Sequence, residues 1–136
     1  MFKSVRIHSP QFDQLNVPNK WDFMFDFSGA AGPPQFDVLT IIGSFDFCYY
    51  HEVEIRFHDI HYISCPTSFT DAQFGLAPKS ESDKLRYLAS FDDDTQLFCI
   101  TVDASADDAS DHFIAASHVE VAIKHVGYNP PDSPSA

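Results

Sequence analysis

The stretch that decides the fold reads EVEIRF and spans Glu52–Phe57. Successive side chains of an extended chain point to opposite faces, so Val53, Ile55 and Phe57 share one face and the three charged residues share the other. One apolar and one charged face are typical of a strand in an antiparallel sheet whose outer side contacts water. The extended pattern continues beyond this stretch until Pro66, which cannot donate to a sheet ladder. These residues therefore predict a long central strand.

Stretches outside the central strand predict further strands. Alternate residues of Trp21–Phe27 are aromatic, which places four rings on one face. Val38–Ile42 is continuously apolar, as in a strand buried on both faces, and Gly43 after it predicts a bulge or a bend. Small residues and prolines at 28–34 predict a loop between these two strands. Shorter or interrupted strands are predicted at Val5–Ile7, Phe45–Cys48 and Phe69–Ala77.

The C-terminal half predicts a hairpin and a closing strand. Leu85–Phe91 alternates apolar and polar residues, and the turn Asp92–Thr95 connects it to a second strand, Gln96–Val102. One short helical turn near Ser80–Tyr87 is the alternative, because a serine followed three residues later by an acid resembles a helix start. Phe113–Val126 predicts one long final strand.

Together these patterns predict a single all-β domain over residues 1–128. Seven to eight short strands without a long helix indicate an antiparallel β-sandwich or a flattened barrel. A chain of 136 residues can bury one core of ordinary size. The proline-containing residues 129–136 are expected to form a flexible C-terminal tail.

The charge balance restricts the partners that this chain is expected to bind. Eight Lys and Arg residues against 20 Asp and Glu residues give a net charge of −12. Binding to nucleic acid or to an anionic membrane needs basic side chains, so we expect neither. A basic protein is the partner that this charge favours. Acidity that only keeps a Phe-rich domain soluble is the other interpretation.

The cysteines and the N-terminal residues favour a cytoplasmic location. The three cysteines are odd in number and contain no CxxC pair, which indicates reduced thiols. The first residues lead into a polar stretch and not into the apolar core of a secretion signal. No segment approaches the roughly 18 consecutive apolar residues of a membrane span. We therefore expect a cytoplasmic protein.

The run from His58 to His61 contains residue types that bind metals. Residues three apart in a strand point to opposite faces, so His58 and His61 converge only where the chain bends. Asp59 and His61 share a face, but a closed site needs further ligands. The spacing favours solvated strand residues, so His58, Asp59 and His61 are metal candidates on which no cofactor prediction rests.

The signatures of common enzyme classes are missing from the sequence. It has no G-x-S-x-G elbow, no glycine-rich phosphate loop and no H-E-x-x-H motif. Cys48 and His51 lie close together in the sequence, but a buried small thiol is the usual explanation for such a cysteine. We expect a protein that is not an enzyme and holds no cofactor. A small hydrolase or metal-dependent enzyme that uses His58 or His61 is an alternative.

Acidic residues concentrate between Glu81 and Asp111. This segment holds nine acidic and two basic residues, which supply more than half of the net charge. If the turn Asp92–Thr95 and the acidic loop at 103–111 lie at opposite ends of the strand Gln96–Val102, both tips of that strand are negative and attract a basic protein. Calcium is a second possible ligand, but the D-x-[DN]-x-[DN]-G loop is absent. The predicted partner-binding residues are Asp92, Asp93, Asp94, Asp107, Asp108 and Asp111.

A family resemblance supports this interpretation. The run Val53–Tyr62 is an alternating strand that continues as Phe-x-Asp-Ile-x-Tyr. With its size and acidity, the chain resembles the small acidic immunity proteins that bacteria make against their own polymorphic or contact-delivered toxins. The resemblance covers about the central half of the chain. It implies a protein that binds and blocks a toxin, often a basic nuclease, and it transfers no functional residue.

We therefore predict a non-enzymatic immunity protein that neutralises a cognate toxin by electrostatic and steric occlusion. The acidic residues form the rim of the binding surface, and nearby aromatic side chains act as anchors. A structural or accessory domain of a larger assembly is the alternative function.

Overall fold

The computed structural model describes residues 2–17, 21–85 and 92–128, which form two antiparallel β-sheets. One sheet contains β1 (Asp22–Phe25), β2 (Val38–Ser44), β3 (Tyr50–His58), β5 (Ser68–Thr70) and β9 (His118–Gly127), in the order β5-β1-β2-β3-β9. The other contains β4 (Tyr62–Ser64), β6 (Gln73–Leu76), β7 (Gln96–Val102) and β8 (Ser110–Ala116), in the order β4-β8-β7-β6. The predicted all-β class is confirmed, and the arrangement is a sandwich and not a closed barrel.

The core lies between the two sheets, and β3 supplies its centre. Val53, Ile55 and Phe57 are fully buried, as their alternation predicts. Phe98 of the opposite sheet meets Phe57 edge to face, with ring centroids 5.3 Å apart. Edge-to-face pairs of this kind add about 0.5–1.5 kcal/mol to the free energy of burial. The central strand therefore joins the sheets through its apolar face.

Two predicted long strands are each divided between the sheets. The extension of β3 through Ser64 is wrong, because the chain turns at Asp59, where φ is 56°, before β4 begins in the other sheet. The single strand Phe113–Val126 is also wrong, because Ser117 separates β8 from β9. This division lets residues of both β8 and β9 pack on one core. It also raises the strand number in the described residues to nine.

The two breaks lie together, and we call residues 58–61 with Ser117 the corner. The backbone N–H of Ser117 donates to the carbonyl of His58 over 2.8 Å. In return, the N–H of His61 donates to the carbonyl of Ala115 over 2.9 Å. The Ser117 hydroxyl also donates to Asp59 Oδ2 over 2.8 Å. These bonds satisfy backbone groups that leave one sheet before they enter the other.

Other sequence predictions near the sheet edges need correction. Phe45–Cys48 forms the turn between β2 and β3 and not a strand. Val5–Ile7 contributes only a single bridge, from Ile7 to Leu76. Phe27 lies beyond the end of β1 with 78% of its surface exposed, so the predicted row of four buried rings is one ring shorter.

The helical alternative near Ser80 is confirmed by α1 (Lys79–Leu85). The strand predicted for Leu85–Phe91 is wrong at Leu85, and residues 86–91 lie outside the described residues, as does the predicted tail at 129–136. The turn at Asp92–Thr95 and the strand β7 after it are confirmed. A further helical element is a single 3₁₀ turn at Pro10–Phe12. No helix in the described parts of the chain is long and apolar enough to cross a membrane.

Gly43 lies inside β2 and makes neither the predicted bulge nor a bend. It pairs with Phe23 on one side and with Val53 on the other. A Cβ atom at this position would lie 2.9 Å from atoms of both side chains. Glycine is required here because the two core residues fill the space above the backbone.

We expect Gly43→Ala to lower the free energy of unfolding by about 1–3 kcal/mol, because the added methyl overpacks the core. Gly127→Ala is the matched control, since its Cβ would approach no atom closer than 3.8 Å. Urea denaturation of both variants measures the difference. Equal stability of the two variants would contradict the packing role of Gly43.

Candidate functional site

Acidic side chains from three separate loops line one recess beside the corner. Asp37 precedes β2, Asp59 follows β3, and Asp92 and Asp94 belong to the turn before β7. The recess has a volume of about 330 Å³, and we call it the acidic recess. Its other described lining residues are Ile60, His61 and Ser117, so no Lys or Arg is among them.

Backbone geometry explains why aspartate stands at two of these positions. Asp37 and Asp59 have φ values of 68° and 56°, in the left-handed region that aspartate enters more readily than most residues. The two turns face each other across the β2–β3 ladder, and the N–H of Ile60 donates to the carbonyl of Asp37 over 3.1 Å. Turn chemistry therefore accounts for these two residues, and their proximity is a consequence of strand pairing.

Asp92 is held in its turn by local hydrogen bonds. Its Oδ1 accepts a hydrogen bond from the Thr95 hydroxyl over 2.9 Å and another from the N–H of Asp94 over 3.0 Å. The Thr95 bond is the largest of the effects that lower the pKa of Asp92, and His61 contributes a smaller electrostatic effect. Asp92 is therefore ionised at neutral pH. Asp93 is exposed in the same turn.

The other predicted partner-binding residues lie at the far end of β7. Asp107 and Asp108 are exposed in the loop that follows this strand. Seven residues of strand separate them from the Asp92 turn, a distance of roughly 20 Å. Five of the six predicted residues thus fall into two separate groups, one at each tip of β7, and sequence reasoning missed Asp37 and Asp59 as members of the first group.

Asp111 belongs to neither group, and its carboxylate already accepts hydrogen bonds from other residues of the chain. It lies in β8 and not in the loop, and it accepts hydrogen bonds from the Ser4 hydroxyl, the Val5 N–H and the Thr101 hydroxyl. Burial raises the pKa of Asp111, but these bonds outweigh it and the pKa is lowered. Its visible role is to hold the N-terminal segment against the four-stranded sheet.

The three metal candidates from the sequence do not meet. Asp59 and His61 line the acidic recess, whereas His58 lies on the outer face of the five-stranded sheet. His58 instead lies beside His118 and Glu120 of β9, and one ligand atom from each lies within 4.8 Å of the others. Only the pairing of β3 with β9 brings His118 and Glu120 to His58.

The predicted water-facing side of β3 is partly buried, which corrects the sequence interpretation. Glu54 is 1% exposed and His51 is fully buried. Glu54 Oε2 lies 2.8 Å from His51 Nε2, and Oε1 lies 2.9 Å from Arg56 Nη1 and 3.5 Å from Lys124 Nζ. The contacts of Oε1 are ion pairs by distance without the alignment of hydrogen bonds. We call these four residues the buried polar network.

The chain itself covers this network. Arg56 Nη2 donates to the carbonyl of Ala31 over 2.7 Å, so the 28–34 loop folds back across the sheet. Asp26 holds the loop by accepting hydrogen bonds from the N–H groups of Ala30 and Ala31. At the other side, the Tyr128 hydroxyl contacts His51 Nδ1. A local sequence pattern does not reveal a cover that comes from residues more than 20 positions away.

Opposing effects determine the charge of Glu54. Burial alone would raise the pKa of its carboxyl group, because a low-dielectric site disfavours the anion. The close contacts with His51 and Arg56 and the positive charges of Arg56 and Lys124 outweigh burial, so the pKa of Glu54 lies below its ordinary value. Glu54 is therefore a buried anion that its neighbours keep ionised.

We expect Glu54→Gln to reduce the free energy of unfolding at pH 7 by about 1–3 kcal/mol, because Arg56 and Lys124 lose their anionic partner. The folded-state pKa of Glu54 is lowered, so the unfolded chain binds the proton first as the pH falls. The difference between wild type and variant should be complete above the ordinary pKa of 4.5 and should shrink below it. Denaturant unfolding between pH 3 and 7 measures this dependence.

The control for this variant is Glu120→Gln, which changes an exposed carboxylate on the same sheet face. Its effect on the free energy of unfolding should stay below about 1 kcal/mol, as for other exposed ion pairs. A Glu54→Gln effect that persists unchanged at pH 3 would contradict the role of the ionised carboxylate.

The cysteines differ in accessibility, and none is paired with a free histidine base. Cys48 is exposed, but the ring of nearby His51 is occupied by Glu54 and Tyr128. Burial raises the pKa of Cys65 to about 12. Burial and then the Asp111 carboxylate raise the pKa of Cys99 to about 12 as well. The last two thiols therefore remain protonated and unreactive.

We expect native protein to release one equivalent of thionitrobenzoate rapidly from Ellman's reagent, and all three thiols to react in denaturant. Cys48→Ser should abolish the rapid phase, whereas Cys65→Ser should leave it unchanged. Rapid reaction of a second thiol in the native protein would contradict the burial of Cys99 and the raised pKa of the partly buried Cys65.

No protein-family model, curated protein or solved structure matches this chain. The resemblance to immunity proteins therefore stays a prediction.

Proposed function

We propose that this chain is a non-enzymatic binding protein that docks a basic protein at its acidic recess, most concretely as an immunity protein that neutralises a toxin. The observation that carries the proposal is the convergence of four carboxylates on one recess without a Lys or Arg among its described lining residues. A surface of one charge sign attracts a partner of the opposite sign and orients it before contact.

Among the described residues, the carboxylates of the recess have few partners. Asp92 and Asp94 are exposed at the tip of their turn, and the low pKa of Asp92 keeps its carboxylate ionised. Asp59 accepts one hydrogen bond, from Ser117, and keeps an exposed side chain. Lys and Arg side chains of a partner can therefore enter the recess and pair with carboxylates that the fold leaves open to solvent.

An exposed aromatic residue adjoins a lining residue of the recess in the sequence. Phe36 is 93% exposed and immediately precedes Asp37 in the chain. Large aromatic side chains at the centre or rim of an interface often carry much of its binding energy. An acidic recess near an exposed ring is complementary to a basic partner surface that contains an apolar depression. Binding at that partner surface would block the access of other molecules to the surface.

Charge reversal tests the recess directly. The double variant Asp92→Lys/Asp94→Lys should slow association with a basic protein that the wild-type chain captures from its host, at least about tenfold at low ionic strength. The deficit should become smaller at 0.5 M salt, because screening weakens steering. Stopped-flow association rates across a salt series measure both effects.

The matched control is Asp107→Lys/Asp108→Lys, which makes the same charge change at the opposite tip of β7. This variant should slow association much less, because its charges lie roughly 20 Å from the recess. If both variants slow association equally, net charge alone is responsible and the recess is not the docking site.

The toxin-neutralising role has its own test. Co-expression of the chain with a toxin encoded beside its gene should restore growth, and the Asp92→Lys/Asp94→Lys variant should lose this protection. Binding without protection would support a docking protein but reject the immunity function.

A further inference from the structure

His58, His118 and Glu120 form a cluster that the proposed docking function does not use. His58 and His118 are directly opposite each other in the β3–β9 ladder, and Glu120 follows two residues later on the same face. Opposite residues of an antiparallel pair have Cβ atoms about 5 Å apart, and diagonal neighbours lie within reach of long side chains. Strand pairing therefore brings three side chains that can bind a metal close together on one face of the sheet.

The ligand atoms of this cluster lie near, but somewhat beyond, the separation that they would have around a metal ion. One ligand atom from each side chain lies within 4.8 Å of the others. Zinc lies about 2.0–2.2 Å from nitrogen and carboxylate ligands, so two ligand atoms of a tetrahedral site are about 3.3–3.6 Å apart. A metal lies in the plane of each imidazole that binds it, so binding requires the two stacked rings to rotate apart about χ1 and χ2. The side chains of His118 and Glu120 are exposed, which leaves space for this rotation.

The present contacts leave the cluster without a complete set of hydrogen bonds. His58 Nε2 closely approaches Glu120 Oε1, yet it has no aligned hydrogen-bond partner among the described residues. The two imidazole rings stack with their centroids 4.3 Å apart and an interplanar angle of 5°. Arg56, the cross-strand neighbour of Glu120, is engaged by Glu54 and Ala31.

The hydroxyl of Ser117 determines which ring nitrogen of His118 is left to bind a metal. Ser117 Oγ lies 3.0 Å from His118 Nδ1 and donates to Asp59 Oδ2. With Nδ1 in contact with Ser117, Nε2 is the nitrogen left for a metal. Hydrogen bonds from the second nitrogen of a liganding histidine are the usual way in which proteins orient it.

We propose that His58, His118 and Glu120 bind a divalent transition metal, with Zn²⁺ as the ion that this donor set fits. Two imidazoles and one carboxylate supply three ligands of a tetrahedral site and leave the fourth position for water or a ligand from outside. Two imidazole donors favour Zn²⁺ over Ca²⁺ and Mg²⁺, which prefer oxygen ligands. The site lies one residue from the acidic recess on both strands, at His58–Asp59 and Ser117–His118.

Zinc titration of the full chain, purified without a histidine tag, tests the proposal. Competition against a chromophoric chelator should give one Zn²⁺ per chain, and His118→Gln or Glu120→Gln should weaken binding at least about tenfold, since loss of an outer-shell contact alone typically costs that much. Zn²⁺ should also raise the melting temperature of wild type and not of His118→Gln. A millimolar excess of Ca²⁺ should not displace the zinc.

Two control variants make the result specific. His125→Gln removes an exposed histidine from the same strand outside the cluster, and Asp92→Asn/Asp94→Asn removes two carboxylates of the acidic recess. Both should bind Zn²⁺ as wild type does. Absence of stoichiometric binding by wild type would overturn the proposal, and so would equal loss of affinity in His118→Gln and in either control.

Discussion

The corner, where β3 passes into β4 and β8 passes into β9, is the constraint on which both candidate sites depend. At this point two chain segments leave one sheet for the other, and their backbone groups bond to each other across Ser117, His58, His61 and Ala115. The turn at Asp59 directs His61 into the acidic recess, while His58, one residue before it, stays on the outer sheet face. A shift of either break by one residue would exchange these faces, because side chains of a strand alternate. The recess and the histidine cluster therefore share one structural origin.

The two faces of β3 stabilise the protein by different physical means. Its inner face carries Val53, Ile55 and Phe57 into an apolar core, where stabilisation grows with the area removed from water. Its outer face buries Glu54, which is tolerable only because Arg56, His51 and Lys124 surround the carboxylate. The first arrangement tolerates apolar substitution of similar volume, whereas the second requires particular partners. The hydrogen bond from Arg56 to the carbonyl of Ala31, which covers the buried polar network, also fixes the 28–34 loop against the sheet.

The acidity of the chain has both structural and electrostatic consequences. Every described non-glycine residue with positive φ is an aspartate, and the four are Asp37, Asp59, Asp71 and Asp103. Two of them stand at the corner end of the sandwich, and the other two meet at the opposite end, where Asp71 binds Ser105. Turn geometry thus explains why aspartates gather at both ends. Exposed carboxylates remain at both ends, and at the recess Asp92 and Asp94 add their carboxylates to those of Asp37 and Asp59.

The sequence by itself determined the all-β class, the apolar face of β3, the strand β7 and the turn before it. These features follow from side-chain alternation and turn chemistry, which are local properties of the chain. Only the tertiary structure decided that Phe113–Val126 divides at Ser117, that Glu54 is buried, and that His58 meets His118 and Glu120. The physical reason is that sheet pairing and loop packing join residues far apart in the chain, and no local pattern encodes the register between them. The same reason explains why Asp92 could be proposed from its acidic turn, whereas its neighbours Asp37 and Asp59 became visible only in the folded protein.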